Sequence, residues 1–206
     1  MENVCFYCLL LLLVSLGCTS SIISGATATS APNTAVDFIK ASCKSTLHPA
    51  LCVTCLSRYA ASIRESDHHL AQAAISVSLN HAKSASAFIL RIRSSSSGGS
   101  MIKHREYQAV KDCVSTIANS VASLSRSVQE FQKIMADGQD FEWHMSNVET
   151  WVSSALTNQN ICGRGFANSM MNGHVKDMVT KRMVYVSQVT SNALALVNRF
   201  AARHRS

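Results

Sequence analysis

The chain has 206 residues, 47% of them hydrophobic and 15% charged, with a formal charge of +7 at neutral pH. That is enough apolar material for one domain with its own core, and the basic balance suits an acidic partner face, an acidic polysaccharide or a membrane surface. The bases form no Lys/Arg run and little aromatic interleaving, which argues against nucleic acid as a partner, while only two prolines and eight glycines leave long stretches free for helices.

The apolar run Val4 to Leu16, followed by Ala26-Thr27-Ala28, reads as a secretory signal peptide over residues 1–28, cleaved after Ala28. The run is too short to span a bilayer comfortably, so no membrane anchor is expected once it is removed. Its loss takes away Glu2, Cys5, Cys8 and Cys18, raising the charge to +8 and leaving five cysteines. An extracellular, oxidising address makes disulfides expected, and an odd count leaves at least one thiol over.

Residues 29–36 are small and polar and read as a flexible lead-in. The domain proper is expected over 37–203. Its first part, 37–66, consists of short helical pieces interrupted by Pro49, and it holds Cys43, Cys52 and Cys55. A long helix follows at about Asp67 to Arg93, with Ala71, Ile75, Leu79, Ala82, Ala85, Ile89 and Ile92 on one stripe. Ser94 to Ser100 reads as a linker. The second long helix, about Ile102 to Ala136, carries Val110, Val114, Ile117, Val121, Leu124, Val128, Phe131 and Met135 in strict four-three spacing. Ala136-Asp137-Gly138-Gln139 breaks the pattern. The third helix, about Asp140 to Asn158, repeats it with Phe141, Met145, Val148, Val152 and Ala155. The fourth, about Val175 to Ala202, carries Val175, Val179, Val186, Val189, Ala193, Leu196 and Phe200, interrupted by Arg182. Stripes of this kind must be covered by neighbouring helices. The expected fold is all-α: an up-down-up-down four-helix bundle over 67–203, preceded by an N-terminal helical hairpin over 37–66.

Cys113 and Cys162 lie equally far from the break at 136–139. In an antiparallel pair, residues equidistant from the turn face each other, so these thiols should meet about 36 Å along the hairpin. A disulfide there staples the open end of two long helices. Cys43 and Cys52 could close a smaller loop around Pro49, leaving Cys55 as the free thiol. The rival pairing, Cys52 with Cys55, would make a Cys-x-x-Cys redox motif, for which the accompanying βαβ pattern is missing.

Three segments carry a family resemblance: FIKASCKSTLHPALCVTCL around Cys43 and Cys52, AVKDCVSTIANSVASL around Cys113, and NVETWVSSALTNQNICGRGF around Cys162. With them the chain resembles the plant invertase/pectin methylesterase inhibitor family from about Val36 to Phe200, and most resembles its pectin methylesterase inhibitors. The resemblance implies disulfides Cys43–Cys52 and Cys113–Cys162. It also implies an extracellular, cell-wall setting and a role in binding an enzyme and covering its active-site cleft. Invertase inhibitors of the family typically carry Pro-Lys-Phe near the start of the third bundle helix. This chain has Asp137-Gly138-Gln139-Asp140-Phe141-Glu142 there, so pectin methylesterase is the expected partner, bound one to one, and invertase the alternative. Related inhibitors often place acids on the helix after the third cysteine, and a Thr and an acid around the fourth. The matching positions here are Ser115, Asn119, Ala122, Ile161 and Arg164, the expected partner-binding residues, and none is a carboxylate.

No Gly-x-Ser-x-Gly elbow, His-Glu-x-x-His pair or phosphate loop is present, so no enzyme activity and no cofactor are expected. His68, His69 and His81 lack the helical spacing of a metal cage, and no metal site is assigned. Trp143 and Trp151, eight positions apart, read as packing anchors, with a binding hot spot as the sharper alternative. Arg182 reads as a snorkelling side chain or as an ion-pair partner of Glu142 or Glu149. A helical carrier of a small apolar ligand is the alternative of another class. A large empty space between the helices would favour it.

Overall fold

The computed structural model describes residues 32–96, 104–134, 140–167 and 173–205. Helix α1 spans Pro32–Cys43 and α2 spans Pro49–Leu56; a 3₁₀ turn at Ser57–Tyr59 leads into the single turn α3 at Ala60–Ile63. Four long helices follow: α4 Asp67–Ser96, α5 His104–Lys133, α6 Phe141–Gly165 and α7 His174–His204. There is no strand among the described residues. The expected leader with its expected cleavage after Ala28, Met135 and the break at 136–139 lie outside them.

The long helices pack as a square. Helix α4 lies against α5 and α7, and α6 against the same two. The α1–α3 hairpin adds a fifth layer on the α4–α7 side. This makes α4 and α7 two-faced helices. Ala71, Ile75, Ala82, Ala85 and Ile89 of α4 face the bundle centre with Val179, Met183, Val186 and Phe200 of α7. Leu70, Ala74 and Val77 instead join Val189, Ala193 and Leu196 in a second core with Ile39, Cys43, Cys52, Leu56 and Ile63 of the hairpin. A polar clamp reinforces that layer: the buried Asn192 accepts from the His48 backbone N–H at 3.0 Å and donates to the His48 carbonyl at 2.9 Å. An amide making two charge-neutral bonds to one backbone residue fixes the hairpin loop on α7.

Boundaries differ from the sequence expectation in three places. Helix α1 begins at Pro32, inside the expected lead-in, because proline is pre-set for a first helical turn and Ala35 finds a buried seat. Helix α4 continues to Ser96, into the expected linker, where Ser94 and Ser95 both donate to the Arg91 carbonyl. Helix α6 runs on to Gly165, since Gln159 and Cys162 extend its buried line past Ala155.

The seam of α5 is also rotated relative to its valine stripe. Val110, Cys113, Ile117, Ser120, Leu124, Ser127, Phe131 and Ile134 are buried, while Val114, Val121 and Val128 are only half-buried. Ser120 and Ser127 are the small polar members of that buried line, and Ser120 accepts from Gln159. Phe131, Phe166, Met145, Ile75, Ile89 and Ile117 fill the interior, and the space under the hairpin beside Leu51, Cys55 and Leu196 holds about 10 Å³, one water's worth.

Candidate partner-binding face

Two disulfides hold the frame, Cys43 to Cys52 with Cα atoms 5.7 Å apart and Cys113 to Cys162 with Cα atoms 4.5 Å apart. Cys55 is free and buried, its Sγ 3.8 Å from the Tyr185 hydroxyl. Burial, and then the bond with Cys55, push the Tyr185 phenol above its ordinary pKa.

The α5–α6 pair is cross-linked along its length. Below the disulfide, Gln159 Nε2 donates to Ser120 Oγ at 2.9 Å, and Ser123 meets Ser154 at 3.5 Å. Nearer the break, the buried Glu130 gathers three donors: His144 Nδ1 at 2.8 Å, Asn147 Nδ2 at 3.1 Å and Lys133 Nζ at 3.0 Å. The His144 bond, opposed by burial and assisted by Lys133 and Asn147, holds the Glu130 carboxyl at a pKa of about 2. The numbers of the residues paired on these rungs total between 274 and 279, the register the two cysteines define.

Because the hairpin covers the α4–α7 side, the outer face of α5 and α6 is left open. All five residues expected at the partner lie there. Ser115, Asn119 and Ala122 are exposed one turn apart on α5, and Ile161 and Arg164 are exposed on α6, flanking Cys162. The disulfide brings the two sets to one end of the pair.

A ridge on α6 extends this surface. Trp143, Ser146, Thr150, Ser153, Thr157, Ile161 and Arg164 follow three-four spacing, and every one is exposed. Trp143 is 67% exposed and is therefore no packing anchor, whereas Trp151 is half-buried. Helical phase explains the split: position 143 lies opposite Met145, and 151 lies beside Val152. Between Trp143 and Arg164 the ridge carries no charge. The two acids nearest it, Glu142 and Glu149, are both bound by Arg205, at 3.0 and 2.8 Å. Those two bonds raise the Arg205 pKa further. Arg182 therefore pairs with neither acid; its guanidinium lies over the Phe88 ring, 5.2 Å from the centroid.

The histidines are used in packing. His68 stacks on Phe131 at 4.9 Å, and His81 meets Tyr185 edge-on at 5.1 Å. Burial, with the nearby His69 and His204, lowers the His68 pKa; burial, with Arg58 and Arg182, lowers that of His81. No cluster of three metal-binding side chains occurs among the described residues, and no described helix is long and apolar enough to cross a membrane.

Comparison with known proteins fits this frame. A family model described as plant invertase/pectin methylesterase inhibitor matches residues 37–196. Pectinesterase inhibitor 9 of Arabidopsis thaliana is 43% identical over 186 residues, covering 89% of this chain and 90% of its own length. Pectinesterase inhibitor 11 of the same plant is 42% identical over 201 residues, covering 97% and 98%. The 21 kDa protein of Daucus carota is 44% identical over 181 residues, covering 87% and 91%. The crystal structure of a mutant pectin methylesterase inhibitor from Arabidopsis shares the fold with a TM-score of 0.60 at 17% identity, over 76% of this chain and 92% of that one. The resemblance and the all-helical, twice-bridged architecture agree with these matches: the chain belongs to the plant invertase/pectin methylesterase inhibitor family.

Proposed function

We propose that the mature protein is a secreted, stoichiometric inhibitor of pectin methylesterase that acts without chemistry of its own. The outer α5–α6 face docks over the esterase's cleft and keeps methyl-esterified pectin out. Ser115, Asn119, Ala122, Ile161 and Arg164 form one end of that contact, and Trp143 anchors the other. The observation that carries this reading is the charge-free stretch of ridge between Trp143 and Arg164 on a helix pair already cross-linked before docking. Cores of protein interfaces are depleted of charge and enriched in aromatic anchors, and a preordered face loses less entropy on binding. The relatives named pectinesterase inhibitors favour the esterase over invertase as the partner. Secretion is supported by the leader and by two disulfides, which persist in oxidising compartments.

The test is side-by-side titration of the purified mature protein against a plant pectin methylesterase and an acid invertase. Loss of esterase activity with an equivalence point at one inhibitor per enzyme is expected. Inhibition of invertase alone would reverse the partner assignment.

A further inference from the structure

Where the hairpin ends, the outer seam between α4 and α7 changes character. Leu70, Ala74 and Val77 of α4 pack under the hairpin with Val189 and Leu196 of α7. Carried on in the same four-three steps, the α4 line reaches His81, Ser84, Phe88 and Arg91, and the α7 line reaches Tyr185, Arg182 and Lys181. Two contacts fix the register: the His81 and Tyr185 rings meet at 5.1 Å, and Arg182 lies over Phe88, 5.2 Å from the ring centroid. Arg58, on the 3₁₀ turn at the hairpin's edge, is close enough to act electrostatically on both His81 and Tyr185. The seam beyond the hairpin is thus a line of bases. Arg58, Arg91 and Lys181 are exposed, and Arg182 is half-buried. None of the four is in an ion pair among the described residues, whose pairs use Lys40, Lys133, His144, Arg199, Arg203 and Arg205. Asp177, one turn from Lys181, is the only acid within residues 81–96 and 174–187.

We propose that this line of bases binds a stretch of acidic polysaccharide, a chain of carboxylated sugars, on the face opposite the α5–α6 pair. Four bases without acid partners set up a positive local field, and a guanidinium can hold a carboxylate through two parallel hydrogen bonds. Stacking on Phe88 orients Arg182 before any ligand arrives. From His81 to Arg91 the line runs about 15 Å, the reach of several sugar rings rather than one. The exposed Asn80 and Ser84 add neutral hydrogen-bonding groups among the bases, which suits a polymer whose carboxylates are interspersed with hydroxyls. An anionic membrane is disfavoured, because none of the exposed large apolar side chains, Leu47, Leu90, Trp143, Ile161 and Val184, falls on the line. Single-stranded nucleic acid is disfavoured too. It stacks its bases on free aromatic faces, whereas Arg182 covers Phe88 and the Tyr185 hydroxyl meets the buried Cys55. The inference does not depend on the inhibitor reading, since a chain that blocked no esterase would still carry these bases.

The experiment measures binding of the purified mature protein to immobilised polygalacturonate by interferometry at increasing salt. Binding at low salt that weakens steeply as salt rises is expected. Fully methyl-esterified pectin, which has lost its carboxylates, should bind at least roughly tenfold more weakly. Arg58→Gln, Arg91→Gln and Lys181→Gln, all at exposed positions, should each weaken binding about threefold, and together by roughly tenfold or more. Arg126→Gln, at an exposed position on α5, should change nothing. Four outcomes overturn the proposal: no binding at low salt, methyl-esterified pectin bound as well as polygalacturonate, Arg126→Gln as damaging as Arg91→Gln, or phosphatidylserine vesicles or single-stranded DNA bound more tightly at equal charge. Esterase inhibition is not part of the readout, so this proposal and the inhibitor reading stand or fall separately.

Discussion

Trp143 is the side chain whose exposure is hardest to explain by folding alone. A ring left 67% in water stabilises the bundle little, so Trp143→Ala should change unfolding free energy by no more than about 0.5 kcal/mol. If it anchors the complex, the same substitution weakens esterase inhibition by roughly thirtyfold, the scale of an aromatic hot spot. Thermal denaturation and an inhibition titration on one preparation separate the two effects. Glu130 shows the opposite case, a charged residue that folding does explain. Its carboxyl, held at about 2 against an ordinary 4.5, binds protons less readily folded than unfolded. Its contribution is therefore complete above about pH 4.5 and drains away as the pH falls toward 2. Glu130→Gln should lower stability by about 2 kcal/mol near neutrality, and the gap from the parent should close in acid. Urea midpoints measured across that window check the sign.

Among the elements, the α5–α6 pair depends most on covalent help. The bridge between Cys113 and Cys162 closes a loop with a sequence separation of 49, worth about 4 kcal/mol by the chain-entropy model. Replacing both cysteines by serine should lose most of that in denaturant titrations, and inhibition should weaken even where the bundle remains folded. The register of this pair was legible in the sequence because a helical hairpin maps distance from the turn directly onto contact. The seam was less so. The valine stripe of α5 pointed one position away from the true centre, because apolar periodicity is blind to Ser120 and Ser127, which are buried for their small size. Asn192 was missed for a related reason: a clamp on the His48 backbone leaves no hydrophobic signal at either position. Helical phase could have placed Trp143 outside the core, since it lies opposite the stripe through Met145 and Val148.

At the level of the whole molecule, the proposed docking face is poor in groups that titrate between mild acid and neutrality: the exposed Asp112 of α5 is a carboxylate, a class ionised above that range's lower end. None of the five flanking residues is an acid or a histidine, and Glu142 and Glu149 are already neutralised by Arg205. Affinity for an esterase should then vary by less than about threefold between about pH 5 and 7.5, once the enzyme's own profile is divided out. A steep loss of affinity toward neutral pH would point to a different contact surface. The family and fold could be read from cysteine spacing and three short segments, whereas the ridge required knowing which helix pair the hairpin leaves uncovered.

That one-sided covering has a practical consequence. Leu47 sits at the tip of the clamped loop, 76% exposed, on the flank facing away from α5 and α6. A fluorophore or tether attached there, through Leu47→Cys, should leave inhibition intact while moving with the rigid body. Position 47 is thus a handle from which the molecule can be held, immobilised or tracked while the proposed α5–α6 contact surface stays free.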